Sequence, residues 1–185
     1  MTAKTRNTSN IKLFGSIKVL VACALFVAMS IVLGKILSIK IGDNIRISFE
    51  NLSLLMSGVF FGPVIGMLTA VVADIVGCII AGYAINPIIT LGAALIGFTS
   101  GFFSHFFFKN HLLPNIVISV FLAHIIGSMI VKTIGLYVYY PNQRPVLYWR
   151  IPIYIITAAA ESAIIFTLLK SKAFIHQFER VNKKQ

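Results

Sequence analysis

Charge is scarce in this 185-residue chain: 11% of its residues are charged and five of them are acidic, against roughly a quarter charged in a soluble domain. With 58% hydrophobic residues and a mean hydropathy of +0.92, the composition excludes a soluble domain and leaves an integral membrane protein. Cysteine is also scarce. Cys23 and Cys78 both lie in apolar segments, where they read as small hydrophobes and define no disulfide, metal site or redox compartment. No glycine-rich loop ending in Gly-Lys-Ser/Thr is present, so the chain does not hydrolyse ATP by that route. Gly97-Phe-Thr-Ser100-Gly101 approaches an intramembrane serine-protease motif, but Phe98 stands where that motif needs glycine. His105, His111, His124 and His176 lack metal-ligand spacing, and only His124 lies well inside a span, where hydrogen-bonded packing is the expected role. No catalytic residue, metal or cofactor is therefore expected. There is no internal repeat or low-complexity tract, and one domain over residues 1–185 is the simplest organisation.

What is abundant is apolar sequence cut by short basic clusters. A membrane helix needs about 20 mostly apolar residues. Candidate spans run Ile17–Ile39, Leu52–Phe61, Val64–Ile80, Ile85–Phe108, Leu113–Tyr137 and Leu147–Leu169. The predicted fold is an all-α membrane protein, a bundle of about six transmembrane helices. Leu52 to Ile80 is long for one helix and short for two; Gly62-Pro63 favours a short second helix and a tight turn, with a single kinked helix as the rival. The first apolar run exceeds a signal-peptide core and lacks its cleavage site, so a retained helix is expected. The net charge of +11 sits in clusters between apolar runs, the pattern of topology signals rather than of a nucleic-acid surface. Lys4, Arg6, Lys12, Lys18, Lys109, Lys170, Lys172, Arg180, Lys183 and Lys184 then place both termini in the cytoplasm, as an N-terminal segment over 1–16 and a tail over 171–185. The segments Ser38–Glu50, Ala81–Asn86 and Tyr139–Trp149 fall on the outer face.

Four charges interrupt the spans: Asp74, Lys132, Arg150 and Glu161. Each costs about 2.5–3.5 kcal/mol near a bilayer centre on insertion scales, so each needs a partner or a function. Asp74 reads as a structural carboxylate accepting from a neighbouring helix. Glu161 is a candidate partner of Lys132, as a structural ion pair or a ligand contact. Lys132 and Arg150 lie toward the outer helix ends among Tyr137, Tyr139, Tyr140, Tyr148 and Trp149. That pattern fits an interfacial belt with snorkelling cations, yet outward positive charge is disfavoured. With Lys40, Arg46 and Arg144 it also suits a flat anionic ligand, gripped by guanidinium and stacked on aromatics. Small residues four apart occur at Ala24/Ala28, Gly58/Gly62/Gly66 and Gly97/Gly101. Packing within one bundle accounts for the glycines, whereas the alanine pair could equally dock a separate subunit.

Asn44-Ile-Arg-Ile-Ser-Phe49, Met56-Ser-Gly-Val-Phe-Phe-Gly-Pro63, Ala73-Asp-Ile-Val-Gly77 and the Arg-Ile-Pro start at Arg150 follow one another in an order that resembles the substrate-binding S components of energy-coupling-factor (ECF) transporters, the folate family most closely. The resemblance covers most of the chain. It implies a six-helix subunit in the bacterial plasma membrane that captures a vitamin from outside. Its implied partners are a transmembrane coupling subunit and two cytoplasmic ATPases. By position it implies Arg46, Lys132, Tyr137, Trp149 and Arg150 as substrate contacts, and Ala24 and Ala28 as the surface that meets the coupling subunit. The stretch from Lys132 to Gln143 departs from the Asn-Thr-x-Trp-Leu pattern of folate members, which leaves another pterin, thiamin, riboflavin or a further flat anionic vitamin open beside folate. Two rivals come from other classes: a lipid-acting intramembrane enzyme built on Asp74 and His124, and a stand-alone channel or carrier.

Overall fold

The computed structural model describes residues 16–41, 45–107, 111–172 and 176, with side chains for all of these except 40, 41, 45, 46, 143 and 146. Six main helices make up the described residues. Helix α1 (Ile17–Ile31) continues through a wider π turn, Val32–Ile36. Two three-residue strands follow, β1 (Ile39–Ile41) and β2 (Ile45–Ile47), paired antiparallel with Ile39 opposite Ile47. Then come α2 (Glu50–Phe61), α3 (Pro63–Ala81) and α4 (Pro87–Phe106). Helix α5 (Leu112–Tyr139) contains a π stretch at His124–Val131. A 3-10 segment, Pro141–Trp149, leads into α6 (Arg150–Lys170). The all-helical expectation holds except for the hairpin, which forms where a loop from Ser38 to Glu50 was expected.

Five helices are long and apolar enough to cross a membrane; α2 is not among them. Its 12 residues reach about 18 Å, short of the roughly 30 Å of a hydrocarbon core. The bundle encloses it instead: every α2 residue but Glu50 and Phe60 is buried, and α2 packs on α1, α3, α4 and α6. A kinked single helix is ruled out by Gly62, whose φ of 91° is open to glycine and strained for other residues. Pro63 then takes the first position of α3, where its missing N–H costs no helical bond.

Close backbone contact welds α2, α3 and α4 together. A methyl group at residue 58 would overlap Ser100 Oγ and the Gly97 carbonyl, and one at 97 would overlap the Gly66 carbonyl. One at residue 101 would come within 2.6 Å of the Gly62 and Pro63 backbone. The glycine spacings visible in the sequence therefore pack within this bundle. Helix α5 joins through Gly127, whose added methyl would lie 2.7 Å from the Gly92 carbonyl of α4. Capping fixes the helix ends. Asn86 Oδ1 accepts from Ile88 N–H at 3.0 Å and Ile89 N–H at 3.3 Å at the start of α4. Asn115 of α5 donates to the carbonyls of Ser104, at 3.1 Å, and Phe107, at 2.7 Å, at its finish. Alternation of helix direction brings the end of α1, the hairpin, the start of α2, the end of α3, the start of α4, the end of α5 and the start of α6 to one end of the bundle.

Candidate functional site

Glu50, Lys132 and Arg150 gather toward the hairpin end. Lys132 comes from the last turns of α5, and its stem runs so close over α4 that a methyl at Gly92 would lie 2.5 Å from its Cγ. Its Nζ stands 3.6 Å from Glu50 Oε1, with side-chain exposures of 8% and 23%. Glu50 opens α2 and sits against α1: a methyl at Gly34 would lie 2.6 Å from Oε2, and Ser30 Oγ donates to the Glu50 carbonyl at 2.9 Å. Two glycines thus make room for an ion pair that ties α1, α2, α4 and α5. The expected Lys132–Glu161 pair does not form.

Glu161 pairs with His124 instead, Oε2 to Nε2 at 2.5 Å, across 37 residues and with both side chains sealed from solvent. Position explains the choice: Glu161 lies three turns into α6, level with the start of the π stretch of α5, whereas Lys132 lies nearer the bundle end. Ser128 Oγ stands 3.3 Å from His124 Nδ1. The order Ser128, His124, Glu161 has the form of a hydrolytic relay, but all three are buried, so no substrate reaches the hydroxyl. The expectation of a packing histidine is met, with an acid partner that sequence spacing did not reveal. The lipid-enzyme constellation fails, because Asp74 and His124 have separate partners: Asp74 Oδ2 accepts from Thr90 Oγ1 of α4 at 2.6 Å. Lys35 meets α3, the helix of Asp74, its Nζ 5.0 Å from the Tyr83 ring centroid and its Cε 3.6 Å from where a methyl at Gly77 would lie.

Arg150 begins α6 and reaches α5. Nε donates to Thr133 Oγ1 at 3.2 Å, and one terminal nitrogen donates to Tyr154 OH at 2.9 Å and the Ser128 carbonyl at 3.4 Å. Its guanidinium also lies over the Tyr154 ring, 5.0 Å from the centroid. All of these partners are neutral. Lys132 and Thr133 are consecutive, so α5 carries two cationic contacts, one countered by a carboxylate and one, among the described residues, not. Ser128 and Tyr154 also join Arg150 to His124, whose ring centroid is 5.4 Å from that of Tyr154. Sequence reading missed Thr133, Ser128, Tyr154 and Glu50; the only signal was the placement of Tyr154 one turn beyond Arg150.

The aromatic candidates lie further out. Tyr137 is 53% exposed and Trp149 61%. Arg144 covers the Tyr137 ring at 4.3 Å and donates to the Tyr137 carbonyl at 3.1 Å, which pins the 3-10 segment to the end of α5. Arg46 pairs through its backbone with Lys40 in the hairpin, and its side chain lies outside the described residues. Ala24 and Ala28 are exposed on the outer face of α1, opposite buried Val19, Phe26 and Ser30. Among the described residues no group of three or more His, Cys, Asp or Glu is placed to hold a metal ion.

A family model described as "ECF-type riboflavin transporter, S component" matches residues 14–173. The chain belongs to this S-component family. It is a multi-pass membrane protein and a vitamin-uptake subunit of an ECF transporter, not an enzyme. Two solved structures share the S-component fold. One is the crystal structure of FolT bound with folic acid, with a TM-score of 0.63 and 22% identity over 80% of this chain and 92% of that one. The other is the S-component for biotin from an ECF-type ABC transporter, with a TM-score of 0.61 and 21% identity over 92% of this chain and 98% of that one. At these identities the likeness is one of fold. No curated protein sequence matches the chain. As an S component, the chain has a vitamin as its substrate and an ECF module as its partner.

Proposed function

We propose that the chain captures folate, or a related pterin carrying a carboxylate, at the hairpin end of the bundle, facing outward from a bacterial plasma membrane with both termini in the cytoplasm. The whole chain acts as one domain. Arg46, Lys132, Tyr137, Trp149 and Arg150 supply the substrate contacts, and the hairpin closes over the ligand. Ala24 and Ala28 meet a transmembrane coupling subunit, and two cytoplasmic ATPases supply the energy that reorients the complex and releases the vitamin inward.

The observation that carries the substrate reading is Arg150. Its guanidinium is held in place by Thr133, Ser128 and Tyr154 and has no carboxylate partner among the described residues. Its second terminal nitrogen makes no hydrogen bond among the described residues. A planar fork held this way is matched by a carboxylate, and a charge-assisted hydrogen bond of that kind contributes about 1.5–3 kcal/mol. Exposed aromatics at the same end offer stacking surfaces for a fused ring. A second reading, riboflavin, is favoured by the family model over residues 14–173. Riboflavin has a flat ring but no carboxylate, so Arg150 separates the two.

The test is calorimetry on the purified, detergent-solubilised chain with folate, riboflavin, biotin and thiamin. Folate is expected to bind tightest, and Arg150→Gln to weaken it by about 10–100-fold. Tight riboflavin binding that is insensitive to Arg150→Gln, with no folate binding, establishes the second reading. Absence of binding by all four refutes vitamin capture by the isolated chain.

A further inference from the structure

We propose that the sealed His124–Glu161 pair is a positioning unit for Arg150: it fixes the π stretch of α5 and the Tyr154 ring, and through them the guanidinium that meets the ligand carboxylate. This deepens the vitamin-capture reading and rests on it. The wider turn of α5 decides where Arg150 is held. In an α-helix the Lys132 N–H would point at the Ser128 carbonyl, four residues back; here it bonds the Gly127 carbonyl. The Ser128 carbonyl takes side-chain donors instead, Thr133 Oγ1 at 3.2 Å and a terminal nitrogen of Arg150 at 3.4 Å. Thr133 Oγ1 in turn accepts from Arg150 Nε at 3.2 Å. Both α5 acceptors of the guanidinium are thus brought together where the π stretch ends.

His124 opens the π stretch and is fixed at both ring nitrogens. Nε2 donates to Glu161 of α6, which leaves Nδ1 of the neutral ring to accept from the Ser128 hydroxyl at 3.3 Å. The ring also packs on Tyr154, centroids 5.4 Å apart, and Tyr154 OH accepts from the same Arg150 nitrogen at 2.9 Å. Each acceptor of Arg150 therefore touches His124 or is tied to a residue that does: Tyr154 by its ring, Ser128 by its hydroxyl, Thr133 through the Ser128 carbonyl. Arg150, Thr133 and Tyr154 are partly exposed, whereas Ser128, His124 and Glu161 are sealed. The contacts run inward from the hairpin end to a pair that no ligand reaches. Apolar residues of similar volume can replace such a pair with little loss of stability. What they do not supply is the directional bond that orients His124 and, through it, the acceptors on which a charge-assisted fork depends.

Folate and its dimethyl ester, which keeps the rings and caps both carboxylates, are the probes, measured by calorimetry on the full-length chain in detergent. Arg150→Gln is expected to lower the folate-to-ester affinity ratio by about 10–100-fold. His124→Leu combined with Glu161→Leu alters no ligand contact, yet is expected to lower the ratio by about tenfold, and to lower it no further in the Arg150→Gln background. Glu161→Gln keeps an acceptor for the ring and is expected to hold the ratio within about twofold of the unaltered chain's. A pair with only a structural role shifts both affinities together and leaves the ratio unchanged, which overturns the proposal. Losses that multiply in the Arg150→Gln background overturn it as well, because the pair then acts by a route other than Arg150. Should the combined leucine variant fail to fold, Ser128→Ala decides, since it removes the hydroxyl and keeps the carbonyl: a ratio lowered by about threefold supports the proposal and an unchanged one refutes it. If the unaltered chain binds no folate, or Arg150→Gln leaves the ratio untouched, the capture reading itself fails and the proposal falls with it; if Arg150 matters and the pair does not, only the proposal fails.

Discussion

Replacing His124 with leucine leaves the Glu161 carboxylate without a hydrogen bond. Its Oε2 loses the 2.5 Å contact, and its Oε1 has no hydrogen-bond partner among the described residues. Both side chains are sealed from solvent, so water cannot compensate without opening the α5–α6 contact. Breaking one side of such a buried pair costs about 3–5 kcal/mol, because an uncompensated charge remains. Removing both partners is a different perturbation. His124→Leu with Glu161→Leu eliminates the charge and fills the space with carbon, and is expected to fall close to the unaltered chain or about 1–4 kcal/mol above it. Glu161→Gln keeps an acceptor for the ring and is expected to lose only about 1 kcal/mol. Equilibrium unfolding in mixed micelles, run as a double-mutant cycle, measures all three. If His124→Leu unfolds within about 0.5 kcal/mol of the unaltered protein, or if the double variant is as unstable as the single, the pair is not the buried, mutually dependent unit described here.

Other expectations follow from the packing. Gly97→Ala drives a methyl into the Gly66 carbonyl and is expected to cost at least about 1–3 kcal/mol of stability. Gly77→Ala is the control: its methyl meets Lys35 Cε at 3.6 Å and Ile31 Cγ1 at 3.7 Å, ordinary contact, and the gain in helix propensity makes it neutral or stabilising by up to about 1 kcal/mol in the same assay. Thr90→Val removes the 2.6 Å donor to Asp74 while keeping the side-chain shape, and unfolding should register a loss of about 1–3 kcal/mol. Thr90→Ser, which keeps the hydroxyl, should recover most of it.

Hydropathy alone located five of the helices to within a few residues, because lipid demands long apolar runs and leaves few other readings. The short α2 and its turn were legible too, since Gly62-Pro63 breaks a run that no single helix explains. Asp74 was correctly read as an acceptor from a neighbouring helix, because Thr90 opens the next span within easy reach. Partner choice between distant helices was not legible. The sequence reading offers Glu161 a single partner on α5, Lys132, and passes over His124; choosing between them requires knowing which face of α5 meets α6. The π stretch at His124–Val131 destroys that inference, because a 3.6-residue period no longer tracks the helix face beyond a wider turn. Glu50 was hidden for a related reason: it lies just after a hairpin, and its pairing with Lys132 depends on the space left by Gly34 and Gly92, glycines that belong to neither residue's helix. The aromatic contacts expected beside the cations are present at the same end, but Tyr137 engages Arg144 rather than Lys132 or Arg150.

The central claim is that this chain binds a vitamin by itself yet moves it only as part of a larger complex. Uptake of radiolabelled vitamin into proteoliposomes measures that directly, comparing the chain alone with the chain joined to a coupling subunit and its ATPases. ATP-dependent accumulation is predicted only in the joined vesicles, with none above background for the chain alone. Accumulation by the chain alone, at a rate indifferent to ATP and the added subunits, would contradict the account and mark a self-sufficient carrier.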